Sequence, residues 1–299
     1  MSAALLIERA GPLTTIQDEG RFGYLSHGIS ASGPMDARAF RQAGLLAGGG
    51  VNAGIEFSML GLDLQVVDGE VAIGWSGGLF NVAVNGKQLD WAGSARLRAG
   101  DRLAISAGTG GNYGYLRFGG QIDVPEIMGS RSTSLRAKIG GLEGRALRAG
   151  DELRIRGEEG LPTEAPAVAA ETGPIRFTWG LHAEVFTVSA REKFVTSAFR
   201  VSSMMDRMGV RLRDESGVFA DARILSLVSD PVVVGDIQIL GDGTPIVLGR
   251  DHQPTGGYPR FGTIISADLD RFFQLRPNTE LAFAPVGIDH AQALLRSRT

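Results

Sequence analysis

The sequence predicts a mostly β protein with two barrel-like units and a few short helices. Short runs rich in β-branched and aromatic residues alternate with turns that contain glycine or aspartate, as in antiparallel sheets. The motif LRAGDRL at 97–103 recurs as LRAGDEL at 147–153 and, in degenerate form, as LRPNTEL at 275–281. The length of 299 residues exceeds what one hydrophobic core usually serves, which favours two domains.

Strand signals are clearest in the first half of the chain. They are LDLQVV near 62–67, EVAIGW at 70–75, LFNVAV at 79–84, RLAIS at 102–106 and YGYLRF at 113–118. Each full copy of the repeated motif is interpreted as a turn that starts a strand, with Gly100 or Gly150 in the turn and Leu103 or Leu153 in a core. The irregular spacing of the copies indicates duplicated barrels and not a solenoid.

Three helices are predicted from start signals in the sequence. The first begins with Ser32 or Gly33 as its cap and ends at a run of three glycines. The second follows Ser266, whose hydroxyl can cap residues 267–274, and the third covers about 289–295.

A domain boundary is predicted at 157–174, GEEGLPTEAPAVAAETGP. This segment mixes glycine, proline, alanine and acidic residues without periodicity, which is typical of a linker. The prediction places one barrel domain at 1–160 and a second at 172–299.

The composition argues against several partners and cofactors. A formal charge of −3 and the lack of any Lys/Arg block argue against nucleic acid or a membrane surface as a partner. Without cysteine, and without an apolar run of roughly 20 residues, the chain is expected to be cytoplasmic and not membrane-bound. The four histidines lack metal-ligand spacing, and Walker A, GxGxxG and Met-Lys motifs are missing, so no metal and no covalently bound cofactor is expected.

The stretch 248–265, LGRDHQPTGGYPRFGTII, has the highest density of functional groups in the chain. Gly256 and Gly257 can adopt positive φ and uncover backbone N–H groups, which would make an anion-accepting concavity beside Thr255. Tyr258 adds an aromatic ring and a donor. The alternative interpretation is a polar hairpin loop with a glycine bulge.

Two other segments carry arginine among small polar residues. GPLTTIQDEGRFGY at 11–24 contains Asp18 and Arg21, which predicts either a hydrogen-bond acceptor with an anion anchor or a local ion pair that fixes the loop. MGSRSTSLRAK at 128–138 presents Arg131 and Arg136 with three hydroxyls, a combination that can hold a carboxylate or phosphate. The alternative for this second segment is a solvated helical turn.

Taken in chain order, these segments resemble the family of the C subunit of prokaryotic 5-oxoprolinase, also called allophanate hydrolase subunit 2. The segments are GPLTTIQDEGRFGY, SGPMD, IDVPEIMGSRSTSLRA, SMMDRMGVRL and the run from SDPVVVGDIQI through PIVLGRDHQPTGGYPRFGTIISADL. The resemblance covers about residues 5–297, and the family includes part of the biotin-dependent carboxyltransferase region of urea carboxylase. It implies two cyclophilin-like β-barrel domains.

The resemblance implies a protein that works with a homologue of the B subunit, and with the A subunit, to open 5-oxoproline to glutamate using ATP bound through the assembled complex. One alternative is a carboxyltransferase component that moves carboxylate to urea or a related amide from carboxybiotin supplied by a partner. A non-enzymatic alternative is a regulatory protein that binds a partner protein of the complex or an inhibitor of a sensor kinase. In each case the chain supplies only part of a site and is expected to be inactive alone.

Ring opening of 5-oxoproline and carboxyl transfer both need an anchor for an anionic substrate, hydrogen-bond donors to a developing negative charge, and a base. We expect Arg131 or Arg136 to be the anchor, and the turn at Thr255–Gly257, with Gln253 beside it, to supply the donors. Catalytic roles are predicted for Asp251, Asp206 and Tyr258.

The 250–258 loop and the Arg131/Arg136 segment are expected to face one anion-accepting cleft, with Asp18 and Arg21 supporting its rim. A carboxylated substrate needs several converging donors, because one exposed contact contributes only about 1 kcal/mol.

The first helix departs from the family pattern. Relatives usually end it in an Ala-Asn and then a Val-Gly-Asn run, whereas this chain has the sequence AGLLAGG at 43–49, with glycine in place of the two amides. The resemblance therefore implies a different specificity here if those amides contact substrate in relatives.

Overall fold

The computed structural model describes residues 2–50, 52–157, 171–221 and 227–297. The chain divides into unit 1, Met1–Gly23 with Ala31–Ala169, and unit 2, Tyr24–Ser30 with Ala170–Thr299. The linker predicted over 157–174 lies for the most part outside the described residues, and the domain boundaries at 1–160 and 172–299 stay a prediction. Within the described ranges, no helix is both long and apolar enough to cross a membrane.

Unit 1 is an antiparallel sheet of 11 strands that forms a nearly closed barrel. Its elements are β1 (Ser2–Ala10), β2 (Thr15–Gln17), α1 (Ala37–Ala47), β3 (Gly54–Ser58), β4 (Leu62–Gly77), β5 (Asn81–Val84), β6 (Lys87–Leu89), β7 (Gly93–Arg98), β8 (Arg102–Ser106), β9 (Tyr113–Phe118), β10 (Gln121–Ile122) and β11 (Glu152–Arg156). The main strand order is β10-β11-β1-β4-β8-β5-β6. Strand β4 also pairs with β7 and β9, and β3 pairs with β2 and β9.

Alternation along the strands of unit 1 produces its core. Leu5 and Ile7 on β1 and Leu64 and Val66 on β4 point to the same side of the sheet and are fully buried. Helix α1 packs against β4 and β9. A Cβ atom at Gly74 would lie 2.4 Å from a backbone oxygen of this helix, so the packing requires glycine at this position of β4.

Unit 2 contains an eight-stranded sheet that forms a half-barrel. Its elements are β12 (Ile175–Trp179), α2 (Val188–Thr196), β13 (Phe199–Met205), β14 (Gly209–Arg213), β15 (Asp230–Pro231), β16 (Asp236–Ile239), β17 (Pro245–Leu248), β18 (Thr255–Gly256), β19 (Arg260–Ile264), α3 (Ser266–Phe273), β20 (Glu280–Leu281), β21 (Phe283–Pro285) and α4 (Ile288–Arg296). The strand order is β20-β13-β14-β17-β16-β19-β12-β21, and β15 pairs with β18 separately. Buried phenylalanine rings at 177, 194, 199, 219, 261 and 283 contact one another in the core.

The prediction of a mostly β chain with a few short helices is confirmed. The runs predicted at 62–67 and 70–75 form one strand, β4, which passes through Gly69 at a φ of 75°. A glycine inside a strand pattern therefore marked a bend and not a strand end.

The copies of the repeated motif adopt the same turn, as predicted. Gly100, Gly150 and Asn278 have φ values of 94°, 91° and 69°, a region that favours glycine and asparagine. Each donates its backbone N–H to a strand carbonyl, and the pairs are Gly100 to Val66, Gly150 to Ile7 and Asn278 to Val201. The predicted burial of Leu103 and Leu153 is confirmed.

The predicted helix starts need correction. Ser32 and Gly33 have φ values of 55° and 83° and lie in a loop, while Asp36 caps α1 by accepting a hydrogen bond from the backbone of Ala39 at 2.9 Å. Ser266 is the first residue of α3 and does not cap it. The predicted third helix is confirmed as α4, and α2 was not predicted, because it has only a weak apolar face with Phe194 buried.

Asp268 of α3 is a buried carboxylate held by two arginines. It accepts hydrogen bonds from Arg176, at 2.5 Å from Nη2 and 3.0 Å from Nε, and from Arg271 at 2.6 Å. Burial acts to raise the pKa of Asp268, but the hydrogen bonds from the arginines outweigh it and lower the pKa to about 2.

We expect Asp268 to make unit 2 sensitive to acid. A carboxylate with a folded pKa below its unfolded value of about 3.9 stabilises the protein above that pH, and the stabilisation is lost as pH falls through the folded pKa. The free energy of unfolding, measured by urea denaturation, should therefore fall as pH is lowered from about 4 towards about 2. Asp268→Asn should lower the stability near neutral pH and flatten this dependence, and an unchanged pH dependence in the variant would contradict the assignment.

Candidate functional site

Asp18 binds the Arg131 segment, which we define as residues 127–134. Its carboxylate accepts hydrogen bonds of 2.6 Å from the hydroxyls of Ser130 and Ser132 and from the backbone N–H of Arg131, and one of 3.0 Å from Gly20. Burial acts to raise the pKa of Asp18, but these hydrogen bonds lower it below its usual value. The carboxylate therefore stays charged at neutral pH and fixes the backbone on both sides of Arg131.

Arg21 binds the same segment from its buried guanidinium. Its Nε donates to the carbonyl of Ile127 at 2.9 Å, and its Nη2 donates to the carbonyls of Ser130 and Ser132 at 3.2 and 3.0 Å. The side chain is 1% exposed. Both N-terminal residues thus hold the Arg131 segment in place, and a direct substrate contact by either stays a prediction.

Arg131 is partly exposed, and the contacts of Asp18 and Arg21 hold its backbone in place. Its Nε donates to the carbonyl of Val124 at 3.2 Å, and its Nη1 pairs with Glu126 at 3.0 Å. Within the described residues Nη2 has no hydrogen-bond partner, so one nitrogen of the guanidinium is left to donate to an anion. Arg136 is exposed near the end of the same motif, outside the segment that Asp18 and Arg21 hold.

In unit 2 the Thr255 loop, which we define as residues 251–258, contains β18 and packs closely on its neighbours. The predicted positive φ of Gly256 and Gly257 is wrong, since neither lies between +20° and +160°. Instead, both glycines lie close to neighbours: a Cβ on Gly256 would lie 2.6 Å from Nε2 of Gln238, and one on Gly257 would lie 3.0 Å from the carbonyl oxygen of Leu227. The donor role of this turn stays a prediction.

Three side chains of the Thr255 loop are free to bind a ligand. Thr255 and Tyr258 are exposed, and Gln253 is partly exposed. In the part of the chain that the structure describes, neither their hydroxyls nor the amide of Gln253 makes a hydrogen bond. The loop therefore presents an amide, an aliphatic hydroxyl and a phenol within six residues.

Asp251 and Asp206, the two predicted bases, occupy different surroundings. Asp251 is 3% exposed and forms a bidentate ion pair with buried Arg207, at 2.9 and 3.2 Å. Asp206 is exposed and accepts hydrogen bonds from the backbone of Met208 and Gly209 at 2.7 and 3.2 Å, as a turn aspartate does. These contacts favour structural roles, and a catalytic role for either carboxylate stays a prediction.

His252 directly follows Asp251 in the Thr255 loop and was not among the predicted site residues. Its Nδ1 is 2.7 Å from the carbonyl of Gln253, and the side chain is 5% exposed. Burial lowers the pKa of His252, while the carbonyl of Gln253 and the charges of Asp236 and Asp251 act to raise it. The signal in the sequence was its place inside the DHQPTGGY motif.

Comparison with known proteins shows the family. A family model described as carboxyltransferase domain, subdomain A and B, matches residues 27–285. The chain belongs to this family. It is 35% identical over 291 residues to the C subunit of 5-oxoprolinase from Escherichia coli (strain K12), across 96% of this chain and 93% of that protein.

In two longer relatives, the part that matches this chain is only one segment of the protein. The chain is 30% identical over 322 residues to urea amidolyase of Lachancea kluyveri, across 99% of this chain but 18% of that protein. The crystal structure of Kluyveromyces lactis urea carboxylase matches with a TM-score of 0.90 at 28% identity, over 99% of this chain and 28% of that one. The relatives are thus a subunit of 5-oxoprolinase and longer enzymes in which the matching region is one segment.

Gly44 of α1 lies close to the buried side chain of Arg117. A Cβ on Gly44 would lie 3.0 Å from Nη1 of Arg117, so glycine lets this buried guanidinium lie against the helix. Arg117 donates to the carbonyls of Phe40 and Gly50 at 3.2 and 2.8 Å and lies 4.0 Å from the Phe40 ring centroid. Burial lowers the pKa of Arg117 to about 10, although the charges of Glu19 and Asp18 oppose this.

Proposed function

We propose that the chain is one component of an ATP-dependent 5-oxoprolinase that opens 5-oxoproline to glutamate together with homologues of the A and B subunits. The observation that supports this most strongly is the end-to-end match to the C subunit of 5-oxoprolinase, which covers 96% of this chain and 93% of the relative. The same chain spans only 18% of urea amidolyase. The identity to the C subunit of 5-oxoprolinase, 35%, is also higher than the 30% to urea amidolyase.

Opening a lactam requires three contributions from the protein. The carbonyl oxygen becomes a leaving group by phosphorylation, the substrate carboxylate needs an anchor, and a water molecule must be activated. In this chain Nη2 of Arg131 would donate a charge-assisted hydrogen bond to the substrate carboxylate. The hydroxyls of Thr255 and Tyr258 and the amide of Gln253 would donate to the phosphorylated oxygen.

We propose that ATP is bound through the assembled complex. Neither a Walker A sequence nor GxGxxG occurs in the chain, so the A and B components would supply the nucleotide site. We therefore propose that the chain is inactive alone.

Arg131→Ala and Tyr258→Ala should each lower turnover of the assembled complex at least tenfold, roughly 1.4 kcal/mol of transition-state binding. Each variant removes a ligand-facing group while leaving the contacts of Asp18 and Arg21 intact, so folding and assembly should be preserved. The measurement is glutamate release from 5-oxoproline with ATP, checked against thermal unfolding of each variant. Arg154→Ala, which removes an exposed arginine of β11, is the matched control and should behave as wild type. Near-normal turnover in both site variants would contradict a substrate-binding role for Arg131 and Tyr258.

Carboxyl transfer is the second candidate function. It is favoured by the family match and by the TM-score of 0.90 to urea carboxylase. In that case a partner would supply carboxybiotin, and the same donors would hold the carboxylate during its transfer to urea or a related amide.

A substrate comparison separates the two functions. The chain, reconstituted with homologues of the A and B subunits, would be given either 5-oxoproline with ATP, or urea with bicarbonate, ATP and a biotinylated carboxylase partner. We expect glutamate from the first mixture and no carboxylated urea from the second. Carboxylation of urea without glutamate release would contradict the 5-oxoprolinase proposal and support carboxyl transfer.

A further inference from the structure

The Thr255 loop contains a histidine whose two ring nitrogens have different surroundings. Nδ1 of His252 lies 2.7 Å from the carbonyl oxygen of Gln253, which can only accept, so Nδ1 carries the proton. Nε2 has no hydrogen-bond partner in the described residues and is left with its lone pair. A backbone carbonyl that fixes one tautomer in this way orients the other nitrogen as a proton acceptor.

The neighbouring carboxylates are less suited to accept a proton. Both oxygens of Asp251 accept hydrogen bonds from Arg207, in a pair whose side chains are 2% and 4% exposed. Protonating Asp251 would leave the charge of Arg207 buried without a counter-ion, which is costly. Asp206 lies outside the Thr255 loop and binds the backbone of its own turn.

From these contacts we propose that Nε2 of His252 is the general base that activates water in the opening of the lactam ring. This inference rests on the proposed function and goes beyond it by naming the proton acceptor. Nε2 takes a proton from water as the water oxygen forms a bond to the carbonyl carbon that ATP has activated through the complex. When the ring C–N bond breaks, its electron pair stays on nitrogen, and the imidazolium returns the proton there, so the histidine ends unchanged. The phosphoryl group remains on the new carboxyl as an acyl phosphate, and a second water molecule hydrolyses it to free glutamate and inorganic phosphate.

The electrostatic surroundings of His252 agree with this role. Burial, the largest influence, lowers its pKa below the usual value, Arg250 acts in the same direction, and Asp236 and Asp251 act to raise it. The two acidic groups are themselves neutralised in part, since Asp251 pairs with Arg207 and Asp236 lies 3.8 Å from Arg260. The imidazole is therefore neutral at pH 7 and its lone pair is available.

The test uses the complete complex with the wild-type chain, His252→Asn and His252→Ala. We expect turnover with 5-oxoproline and ATP to fall about 100-fold or more in both variants, with KM within about threefold of wild type. Added imidazole should restore turnover to His252→Ala, and the acid limb of the pH–rate profile should disappear in His252→Asn. His290→Asn, an exposed histidine of α4, is the matched control and should leave turnover unchanged.

A second measurement determines the tautomer of His252 and does not depend on an enzyme assay. Nitrogen-15 NMR of the full chain, with His252 assigned by comparison with His252→Asn, should show the proton on Nδ1 and a titration below about 6.5. A proton on Nε2 would overturn the proposal even if turnover falls.

The outcomes separate this proposal from the function on which it rests. A wild-type complex that does not convert 5-oxoproline overturns the proposed function and the role of His252 with it. An active wild-type complex with near-normal turnover in His252→Asn overturns only the role of His252. So does a folded His252→Ala complex with low turnover, an unchanged pH profile and no response to imidazole, because that pattern is the signature of a structural residue.

Discussion

Asp251→Ala is expected to lower the free energy of unfolding by about 3–5 kcal/mol, because it leaves the guanidinium of Arg207 buried without a counter-ion. The two side chains are 4% and 2% exposed and are joined by hydrogen bonds of 2.9 and 3.2 Å. Urea denaturation of the isolated chain measures the loss. A variant within about 1 kcal/mol of wild type would show that the pair is not a structural support of the Thr255 loop.

Two further variants test whether the loss of stability comes from the unpaired charge of Arg207. The double variant Arg207→Met with Asp251→Leu removes both charges and keeps apolar volume, so it should recover most of the lost stability. Asp206→Ala changes the adjacent exposed carboxylate and should cost no more than about 1 kcal/mol. If Asp251 were instead the catalytic base, the double variant would regain stability and still lack turnover, and Asp251→Asn would abolish turnover.

Asp18→Ala is expected to cost about 2–4 kcal/mol of stability in unit 1 and to disorder the Arg131 segment. The substitution removes the acceptor for Ser130, Ser132 and the backbone of Arg131, and unsatisfied buried donors cost about 1–3 kcal/mol each before water replaces part of the loss. Turnover of the complex should fall at least as far as in Arg131→Ala, because the anchor loses its position. Urea denaturation and the glutamate assay measure the two effects.

Asp18→Asn and Asp123→Ala are the controls for this second prediction. Asparagine keeps one acceptor oxygen and loses the charge, so its cost should lie between wild type and Asp18→Ala. Asp123 forms an exposed ion pair with Arg156, which should contribute less than about 1 kcal/mol. Equal losses in Asp18→Ala and Asp123→Ala would contradict the special role of the Asp18 contacts.

Local signals in the sequence were sufficient for much of the fold. The turn at Gly100 and Gly150 needs only a glycine followed by an aspartate and a strand, and all of this information lies within seven residues. Alternation of apolar residues likewise identified strands such as β8, whose residues are alternately exposed and buried. The start of α1 was harder, because Ser32 and Asp36 are both good capping residues and only the loop conformation decides between them.

The site was harder to predict because its partners are distant in sequence. Asp18 and Arg21 look like a local pair, yet both bind residues more than 100 positions away in the Arg131 segment. Arg207 follows Asp206 directly but pairs with Asp251, 44 residues later. Adjacent residues on a strand or turn point in different directions, so a charge motif alone does not identify its partner.

The conformation of the Thr255 loop was also difficult to predict from the sequence. The two glycines predict positive φ, but neither adopts it, and both lie close to neighbours, the side chain of Gln238 and the backbone of Leu227. His252 gave no separate signal, because its tautomer depends on where the carbonyl of Gln253 points. Whether this loop and the Arg131 segment face one cleft stays a prediction, which the paired loss of turnover in Arg131→Ala and Tyr258→Ala is designed to test.

The most direct test of the central claim is an omission experiment with purified proteins. Homologues of the A and B subunits are mixed with 5-oxoproline and ATP, with and without this chain, and glutamate and ADP are quantified together. We predict coupled formation of glutamate and ADP only when all three proteins are present. Glutamate release by this chain alone, or equal release when it is left out, would contradict its role as an essential component of a 5-oxoprolinase.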